Sequence, residues 1–294
     1  MKKEYLYAGT SILCWSSVAT VTKLLMQDLS PFQVLWLSSL FAGLFLLAVN
    51  LFSGNLVTLR QYKLRDYLII ILCNLPGTFL YYMFYYAGAA RMDASHAFII
   101  NYLWPIMCVV FACIILKEKL TLQKLLAVIV SFGGVCVVSL SKGSAFTADM
   151  LSGTALCTLG AICYGIFTAL NRKIHYDKGL CMMVGYGVTF TLTTLINALR
   201  GELFVPSGLQ ALGMAWNGMF TMAVAGTLWI LALARGGTGK ISNLAYITPF
   251  LSLVWTAIFL KEAFNPYNFL GLSMIVAGIL LQYIRLPRKA GARL

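Results

Sequence analysis

The chain has little charge and very few acidic residues. Of its 294 residues only 9 are Asp or Glu and 22 are Lys or Arg, so that 11% are charged and 60% are hydrophobic. A soluble domain carries about 25% charged residues. This composition excludes a soluble enzyme, a disordered chain and a nucleic-acid-binding domain. The net charge of +13 does not change that conclusion, because the basic residues stand between apolar runs of membrane-spanning length.

The sequence also lacks the groups that metal and acid–base chemistry require. It has 2 histidines and 8 cysteines, with no CxxC pair and no His near a Cys at metal-ligand spacing. All nine acidic residues fall at the ends of apolar runs or in loops. A membrane enzyme would need paired acids, a metal cluster or an activated nucleophile. We therefore predict no enzyme, no metal and no cofactor.

Long apolar runs predict an all-α integral membrane protein. Lipid admits only helices or closed barrels, and continuous runs of about 20 residues are the helical signal. The first run follows Lys2 and Lys3, exceeds a signal-peptide core, and is predicted to stay as a span. The predicted spans are 5–26, 31–52, 67–88, 94–116, 122–140, 150–171, 181–199, 211–234, 241–260 and 266–284.

The basic residues predict the orientation. With the N-terminus inside, the inner segments hold 17 Lys and Arg and the outer ends hold 5. Cytoplasmic segments of membrane proteins carry this excess. An even number of spans with both termini in the cytoplasm follows. Unpaired thiols and short loops favour a bacterial inner membrane.

An internal repeat divides the chain. At a shift of 144 residues, Pro105 meets Pro249, and Leu116-Lys117-Glu118 meets Leu260-Lys261-Glu262. We predict one repeat over residues 1–144 and a second over 145–294, together forming one membrane domain. Five spans per repeat is an odd number, so the repeats must have opposite topology. Inverted repeats with Pro-interrupted spans are typical of secondary transporters, whose site lies near the midplane between them.

The chain resembles the drug/metabolite transporter superfamily, in its EamA branch. The resemblance covers the whole chain and rests on the ten spans, the Pro of the fourth and ninth spans, and the Lys-Glu that closes each. Three motifs narrow the resemblance to YddG-type aromatic amino-acid exporters: Trp15-Ser16-Ser17, the run Asn101 to Pro105, and Tyr246 to Pro249. Phe79, His96 and Tyr164 depart from the pattern of that subgroup.

The candidate site residues are aromatic, amide and hydroxyl side chains on neighbouring helical faces. An aromatic pocket with a few polar groups suits a flat ligand with polar ends. The predicted substrate-binding residues are Trp15, Asn74, Thr78, Tyr82, Asn101, Trp104, Tyr164, Trp229, Asn243 and Tyr246. Pro76, Pro105 and Pro249 are predicted helix breaks with a gating role, since each leaves a backbone carbonyl without its helical donor. Lys23 and His96 are candidates for coupling or charge recognition, and Tyr85 and Tyr86 are expected in an interfacial aromatic belt.

These features predict a secondary transporter that exports small metabolites by alternating access. No carboxylate lies in the middle of a span, which favours a facilitator over a proton antiporter and neutral or zwitterionic substrates over cations. Amino acids, aromatic or otherwise neutral, are the preferred substrates. Nucleosides, amines and drugs remain alternatives, as does a non-transporting sensor or partner protein. The expected partners are a small-molecule substrate and the lipid bilayer, with no nucleic acid, in a monomer or weak homodimer.

Overall fold

The computed structural model describes residues 3–117, 122–140, 147–236, 244, 247–261 and 266–281. Every regular element within these ranges is helical. Five helices in the described ranges are long and apolar enough to cross a membrane by themselves: Pro31–Phe52, Leu64–Ala89, Ala94–Ile115, Ala148–Lys173 and Lys178–Leu199. The all-helical membrane fold is thereby confirmed, whereas the count of ten spans stays a prediction.

Ten helical segments, here α1 to α10, lie where the apolar runs predict them. They are α1 (Lys3–Ser16 and Val18–Leu25), α2 (Pro31–Phe52), α3 (Leu64–Leu75, π-helical Pro76–Leu80 and Tyr81–Ala89), α4 (Ala94–Asn101 and Trp104–Ile115), α5 (Leu122–Leu140), α6 (Ala148–Lys173), α7 (Lys178–Leu199), α8 (Gly208–Ala215, π-helical Trp216–Val224 and Ala225–Gly236), α9 (Ile247–Leu260) and α10 (Pro266–Leu281). One further helical turn, Leu56–Leu59, lies in the loop before α3.

Side-chain caps fix several helix starts. At α2 the Ser30 hydroxyl accepts the Gln33 backbone N–H, while the Gln33 side chain accepts the Ser30 N–H. Ser207 and Gln210 form the same capping box at α8. These caps satisfy amide groups that have no partner in the first turn of a helix. The sequence therefore encodes where the spans begin as well as how long they run.

Within the described ranges, four helices are interrupted near their middle. The α-helical pattern stops at Ser17 in α1 and at Tyr102 and Leu103 in α4, and α3 and α8 each contain a π-helical stretch. In α4 the break directly precedes Trp104-Pro105, because proline cannot donate to the preceding turn and disfavours helical backbone before it. Pro76 opens the π-helical stretch of α3.

The helices pack with a pseudo-two-fold pattern. α1 packs against α8 and α9, and α6 packs in the same way against α3 and α4, while α2 pairs with α7 and α5 with α10. Exchanging α1–α5 for α6–α10 maps these contacts onto each other. The backbone repeats too, since Lys117 (φ 56°) after α4 matches Lys261 (φ 54°) after α9. The two-repeat fold is thereby confirmed.

Candidate functional site

A small cavity lies where the interrupted helices meet. Its volume is about 60 Å³. Its wall is formed by Trp15 and Val18 of α1, Tyr81 and Tyr82 of α3, Phe98, Asn101, Tyr102 and Trp104 of α4 or its break, Tyr164 of α6, Thr221 of α8 and Thr248 of α9. Both repeats therefore contribute to one central site.

The cavity wall is built from segments of six helices, and four of these helices are interrupted. Movement of these helices would therefore change the volume of the cavity.

Aromatic rings in mutual contact form most of the wall. The Trp104 and Tyr164 ring centroids are 5.1 Å apart with an interplanar angle of 70°, and Tyr81 lies 4.9 Å from Tyr164. Tyr81 and Tyr82 are 4.8 Å apart in an edge-on arrangement. Edge-to-face and tilted contacts at these distances are the favoured geometries of aromatic pairs. A flat substrate ring would extend an existing aromatic cluster.

One amide brings a hydrogen-bonding group to this apolar wall. Asn101 donates from Nδ2 to the Tyr81 hydroxyl at 3.0 Å, which fixes the orientation of the amide. Its Oδ1 is buried and has no hydrogen-bond partner within the described part of the chain. A buried acceptor without a donor is costly. A ligand N–H group would satisfy it.

The wall carries no formal charge. None of the eleven residues that line the cavity among the described ranges is Asp, Glu, Lys, Arg or His. A cation bound there would lose its hydration without gaining a counter-charge. The electrostatics of the site therefore favour neutral or zwitterionic molecules.

Five predicted substrate-binding residues lie together at the cavity, and others lie elsewhere. Trp15, Tyr82, Asn101, Trp104 and Tyr164 line it. Asn74 and Thr78 are buried between α3 and α7 instead. There Asn74 donates from Nδ2 to the Ile70 carbonyl at 2.8 Å, and Thr78 donates to the Gly185 carbonyl at 3.3 Å. The structure thus places these two in helix packing rather than in the wall.

The remaining substrate-binding candidates do not reach the wall within the described residues. The Trp229 ring packs on Trp15 at 5.3 Å, so it supports the wall from behind. Asn243 and Tyr246 lie outside the described residues.

The three prolines occupy different local structures. Pro76 begins the π-helical stretch of α3, and Pro105 begins the second part of α4 after the break. Beside Pro76, the Cys73 carbonyl accepts a hydrogen bond from Asn171 Nδ2 of α6 at 3.3 Å. Pro249 is buried in the first turn of the described part of α9. The carbonyl that it was expected to free, that of Ala245, lies outside the described residues.

Lys23 and His96 lie away from the cavity wall. Lys23 donates from Nζ to the carbonyls of Ala89 and Met92, at 3.0 and 2.7 Å, and so joins the end of α1 to the end of α3. His96 is buried in the first turn of α4, with Nδ1 3.5 Å from a carboxylate oxygen of Asp93. Lys23 therefore holds two helix ends together in this conformation, whereas His96 lies beside Asp93 at the start of its own helix.

The expectation of an aromatic belt at Tyr85 and Tyr86 is wrong. Both are buried, with 1% and 0% of their surface exposed. The Tyr86 hydroxyl accepts a hydrogen bond from Asn217 Nδ2 of α8 at 2.7 Å, which joins the two repeats. Both tyrosines therefore pack inside the protein and not at the membrane surface.

Six residues of the wall are not among the predicted substrate-binding residues. They are Val18, Tyr81, Phe98, Tyr102, Thr221 and Thr248. Tyr102 and Thr248 stand close to Pro105 and Pro249, so proximity to a helix break would have indicated them. Val18 and Phe98 carry no signal that separates them from ordinary apolar residues.

Polar contacts join the repeats at each end of the molecule. On the side predicted to be cytoplasmic, the Tyr176 hydroxyl donates to Asp66 at 2.7 Å. Two hydrogen bonds hold the pKa of Asp66 below its usual value: the larger effect comes from the backbone N–H of Lys63 and the smaller from the Tyr176 hydroxyl. On the opposite side Glu202 accepts hydrogen bonds from Arg200 at 2.7 Å and from Ser30 at 3.0 Å. Both bonds lower the pKa of Glu202, and the Arg200 bond has the larger effect.

The fold and site are those of a membrane transporter, and a family comparison agrees. The model of the EamA-like transporter family matches residues 2–140 and 151–284. The chain therefore belongs to the EamA-like transporter family, a family of transporters and not of enzymes. The two matched ranges fall within the two repeats predicted from the sequence.

Curated relatives are distant and cover most of the chain. The aromatic amino acid exporter YddG of Ancylobacter novellus is 22% identical over 250 residues, which is 83% of this chain and 84% of that protein. The uncharacterized inner membrane transporter YhbE of Escherichia coli K12 is 23% identical over 298 residues, 95% of this chain and 90% of that protein. A probable terminal-alkyne amino-acid exporter of Streptantibioticus cattleyicolor is 22% identical over 223 residues, covering 76% of this chain and 75% of its own length.

A solved crystal structure shares the fold. It superposes with a TM-score of 0.66 at 21% sequence identity and covers 95% of this chain and 96% of its own. At that identity the likeness speaks for the fold alone. The chain is a multi-pass membrane protein of a transporter family that has members in the bacterial inner membrane.

Proposed function

We propose that this protein exports small neutral or zwitterionic metabolites, amino acids above all and aromatic amino acids first among them. The observation that carries the proposal is the uncharged, aromatic wall of the central cavity with one unsatisfied amide oxygen on it. Two relatives bear names of amino-acid exporters, which supports the same substrate class.

The polar ends of an amino acid would find partners in the wall. The α-ammonium group would donate to Asn101 Oδ1. The second part of α4 begins at Trp104, beside the cavity. The N-terminus of a helix carries a partial positive charge that stabilises carboxylates. The side chain would pack among Trp15, Trp104 and Tyr164.

Transport would proceed by alternating access. The two repeats meet at the cavity and are joined by separate polar contacts at each end. Both sets are formed in this structure, so opening to either side would break one set while the other holds as the repeats rock. Pro76 and Pro105 lie at the interruptions of α3 and α4, and Pro249 lies in the described part of α9. All three would let these segments bend. We further infer a bacterial inner membrane location, cytoplasmic termini and a monomer or weak homodimer.

Counterflow in proteoliposomes tests the substrate. Vesicles are loaded with single unlabelled amino acids, nucleosides or amines, and uptake of radiolabelled phenylalanine is followed. We expect aromatic amino acids to drive uptake. Trp104→Ala and Asn101→Ala should each reduce the rate at a subsaturating substrate concentration by about fivefold or more, because each removes a contact worth about 1–3 kcal/mol.

Trp36→Phe is the matched control, since Trp36 joins α2 to α7 away from the cavity and is expected to keep wild-type exchange. Exchange of another compound but not of phenylalanine would refute the aromatic substrate and leave a transporter. No exchange by any compound, in protein that elutes as a folded species, would refute transport and favour a sensor.

A further inference from the structure

The break in α1 is built around two adjacent serines. Ser16 donates its hydroxyl to the Leu13 carbonyl at 2.8 Å, and Ser17 donates to the Cys14 carbonyl at 2.7 Å. Serine hydroxyls that bond back to a carbonyl of the preceding turn bend helices. In this chain the bend coincides with the interruption at Ser17.

Two tryptophans from the second repeat bind the same hydroxyls. Trp255 of α9 donates from Nε1 to Ser16 Oγ at 2.9 Å, and Trp216 of α8 donates to Ser17 Oγ at 2.9 Å. Each serine thus donates within α1 and accepts from another helix. Ser16 has 0% exposure, so the Trp255 bond lies inside the protein.

The residue before these serines belongs to the cavity wall. The Trp15 ring lines the cavity, and its own Nε1 donates to the Thr221 carbonyl of α8 at 3.1 Å. A change of the backbone at Ser16 or Ser17 therefore rotates Trp15 directly. Three indole hydrogen bonds hold this stretch of α1 against the second repeat.

Within the described residues, the pseudo-symmetric interface shows no such bonds. The shift of 144 residues makes Trp255 correspond to Phe111. In the first and sixth spans, Cys14-Trp15 matches Cys163-Tyr164 at a shift of 149 residues, which makes Ser16 correspond to Gly165. Phenylalanine has no N–H group and glycine has no hydroxyl. α6 runs without a break from Ala148 to Lys173, and Gly165 packs directly against the Met107 backbone of α4. The break and its indole donors are therefore specific to α1.

We propose that Trp255, assisted by Trp216, is a positioning residue for transport. By donating to Ser16 it holds the break in α1 and thereby sets the orientation of Trp15 in the cavity wall. Neither Trp255 nor Trp216 lines the cavity. The proposal rests on the proposed function for its substrate, although its structural part can be tested without one.

The first test is spectroscopic. The chain has 6 tryptophans, so protein labelled with 5-fluorotryptophan gives six 19F resonances, and Trp15→Phe assigns that of Trp15. Trp255→Phe keeps an aromatic ring and removes the N–H. We expect it to move or broaden the Trp15 resonance. Trp36→Phe, which removes the indole bond to Thr194 at 2.7 Å between α2 and α7, should leave that resonance in place.

The second test measures transport. Trp255→Phe should raise KM for exchange roughly threefold to tenfold, the effect of one interhelical hydrogen bond in a membrane protein. Ser16→Ala should have the same effect, and the double variant should be no worse than the more affected single variant. Trp216→Phe should have a smaller effect, because Trp216 is 41% exposed.

An unchanged Trp15 resonance in Trp255→Phe would overturn the proposal, as would additive effects of Trp255→Phe and Ser16→Ala. An equal change in Trp36→Phe would overturn it too, since a general loss of packing would then explain the result. If wild-type protein exchanges no amino acid, the proposed function fails, whereas the 19F comparison still decides this proposal.

Discussion

Replacement of Gly218 by alanine should destabilise the protein because two helix backbones meet at this residue. Gly218 lies in the π-helical stretch of α8, against α2. A Cβ built on it would collide with the Ser38 carbonyl oxygen and lie 3.0 Å from both the Ala42 nitrogen and the Phe41 Cβ. Backbone atoms cannot turn aside as the end of a side chain can. The helices would have to separate.

The size of the effect follows from a matched control in the same helix. Overpacking of this kind costs about 1–3 kcal/mol. Gly226 also lies in α8, and a Cβ there would meet nothing within 4 Å. Gly226→Ala therefore gains helix propensity, up to about 1 kcal/mol, without a clash. Because both variants share this gain, the difference between them isolates the clash.

Thermal unfolding in detergent, followed by size-exclusion chromatography of the remaining folded protein, measures the difference. At roughly 2–4 °C per kcal/mol for a chain of this size, Gly218→Ala should unfold about 2–12 °C below Gly226→Ala. Equal melting temperatures for the two variants would show that α2 and α8 do not approach as described. A Gly218→Ala variant more stable than Gly226→Ala would refute the close contact outright.

Three further results are expected. Lys23→Met should lower stability by about 1–3 kcal/mol, because the carbonyls of Ala89 and Met92 lose their charged donor. The KM for transport should stay unchanged. A higher KM with unchanged stability would instead indicate that Lys23 recognises the charge of the substrate. Asp66→Asn should lower the melting temperature near pH 7. The pKa of Asp66 is lowered in the folded state, so its stabilisation is present above the usual carboxylate pKa and is lost as pH falls through the lowered value. The melting temperatures of wild type and Asp66→Asn should therefore converge below about pH 4. A difference that stays constant with pH would contradict this. Reporter fusions should place both termini in the cytoplasm, and an external C-terminus would refute the orientation.

The sequence predicts the helices of this fold well, and the reason is physical. Apolar runs of membrane length fix each helix, and the Pro and Lys-Glu matches at a shift of 144 residues reveal the repeat. These signals are local or periodic, so one chain is enough to read them. The break in α4 follows in the same way from Pro105.

The site could be predicted only in part because π-helical turns change which residues share a face. A regular helix would put Asn74, Thr78, Tyr81 and Tyr82 on one stripe. The π-helical stretch Pro76–Leu80 has a wider turn and rotates the residues that follow it. Asn74 and Thr78 consequently pack on α7 while Tyr81 and Tyr82 line the cavity. Nothing in the residue pattern gives the size of that rotation.

The break at Ser17 could not be predicted from the sequence either. Two serines in an apolar helix are ordinary, and their effect depends on donors that lie more than 190 residues away in the chain. Only the assembled structure brings Trp216 and Trp255 to them. Contacts between residues so far apart in the chain leave no pattern in the local sequence.

Among the residues that the structure describes, the cavity wall is divided unequally between the two repeats. Within those ranges, residues 2–140 supply Trp15, Val18, Tyr81, Tyr82, Phe98, Asn101, Tyr102 and Trp104, whereas residues 151–284 supply Tyr164, Thr221 and Thr248. Mutant libraries that aim to redirect this protein to new cargo should therefore concentrate their diversity in α1, α3 and α4. In directed evolution, gains in selectivity should accumulate in the first repeat, and substitutions in the second should alter mainly how fast the protein turns over.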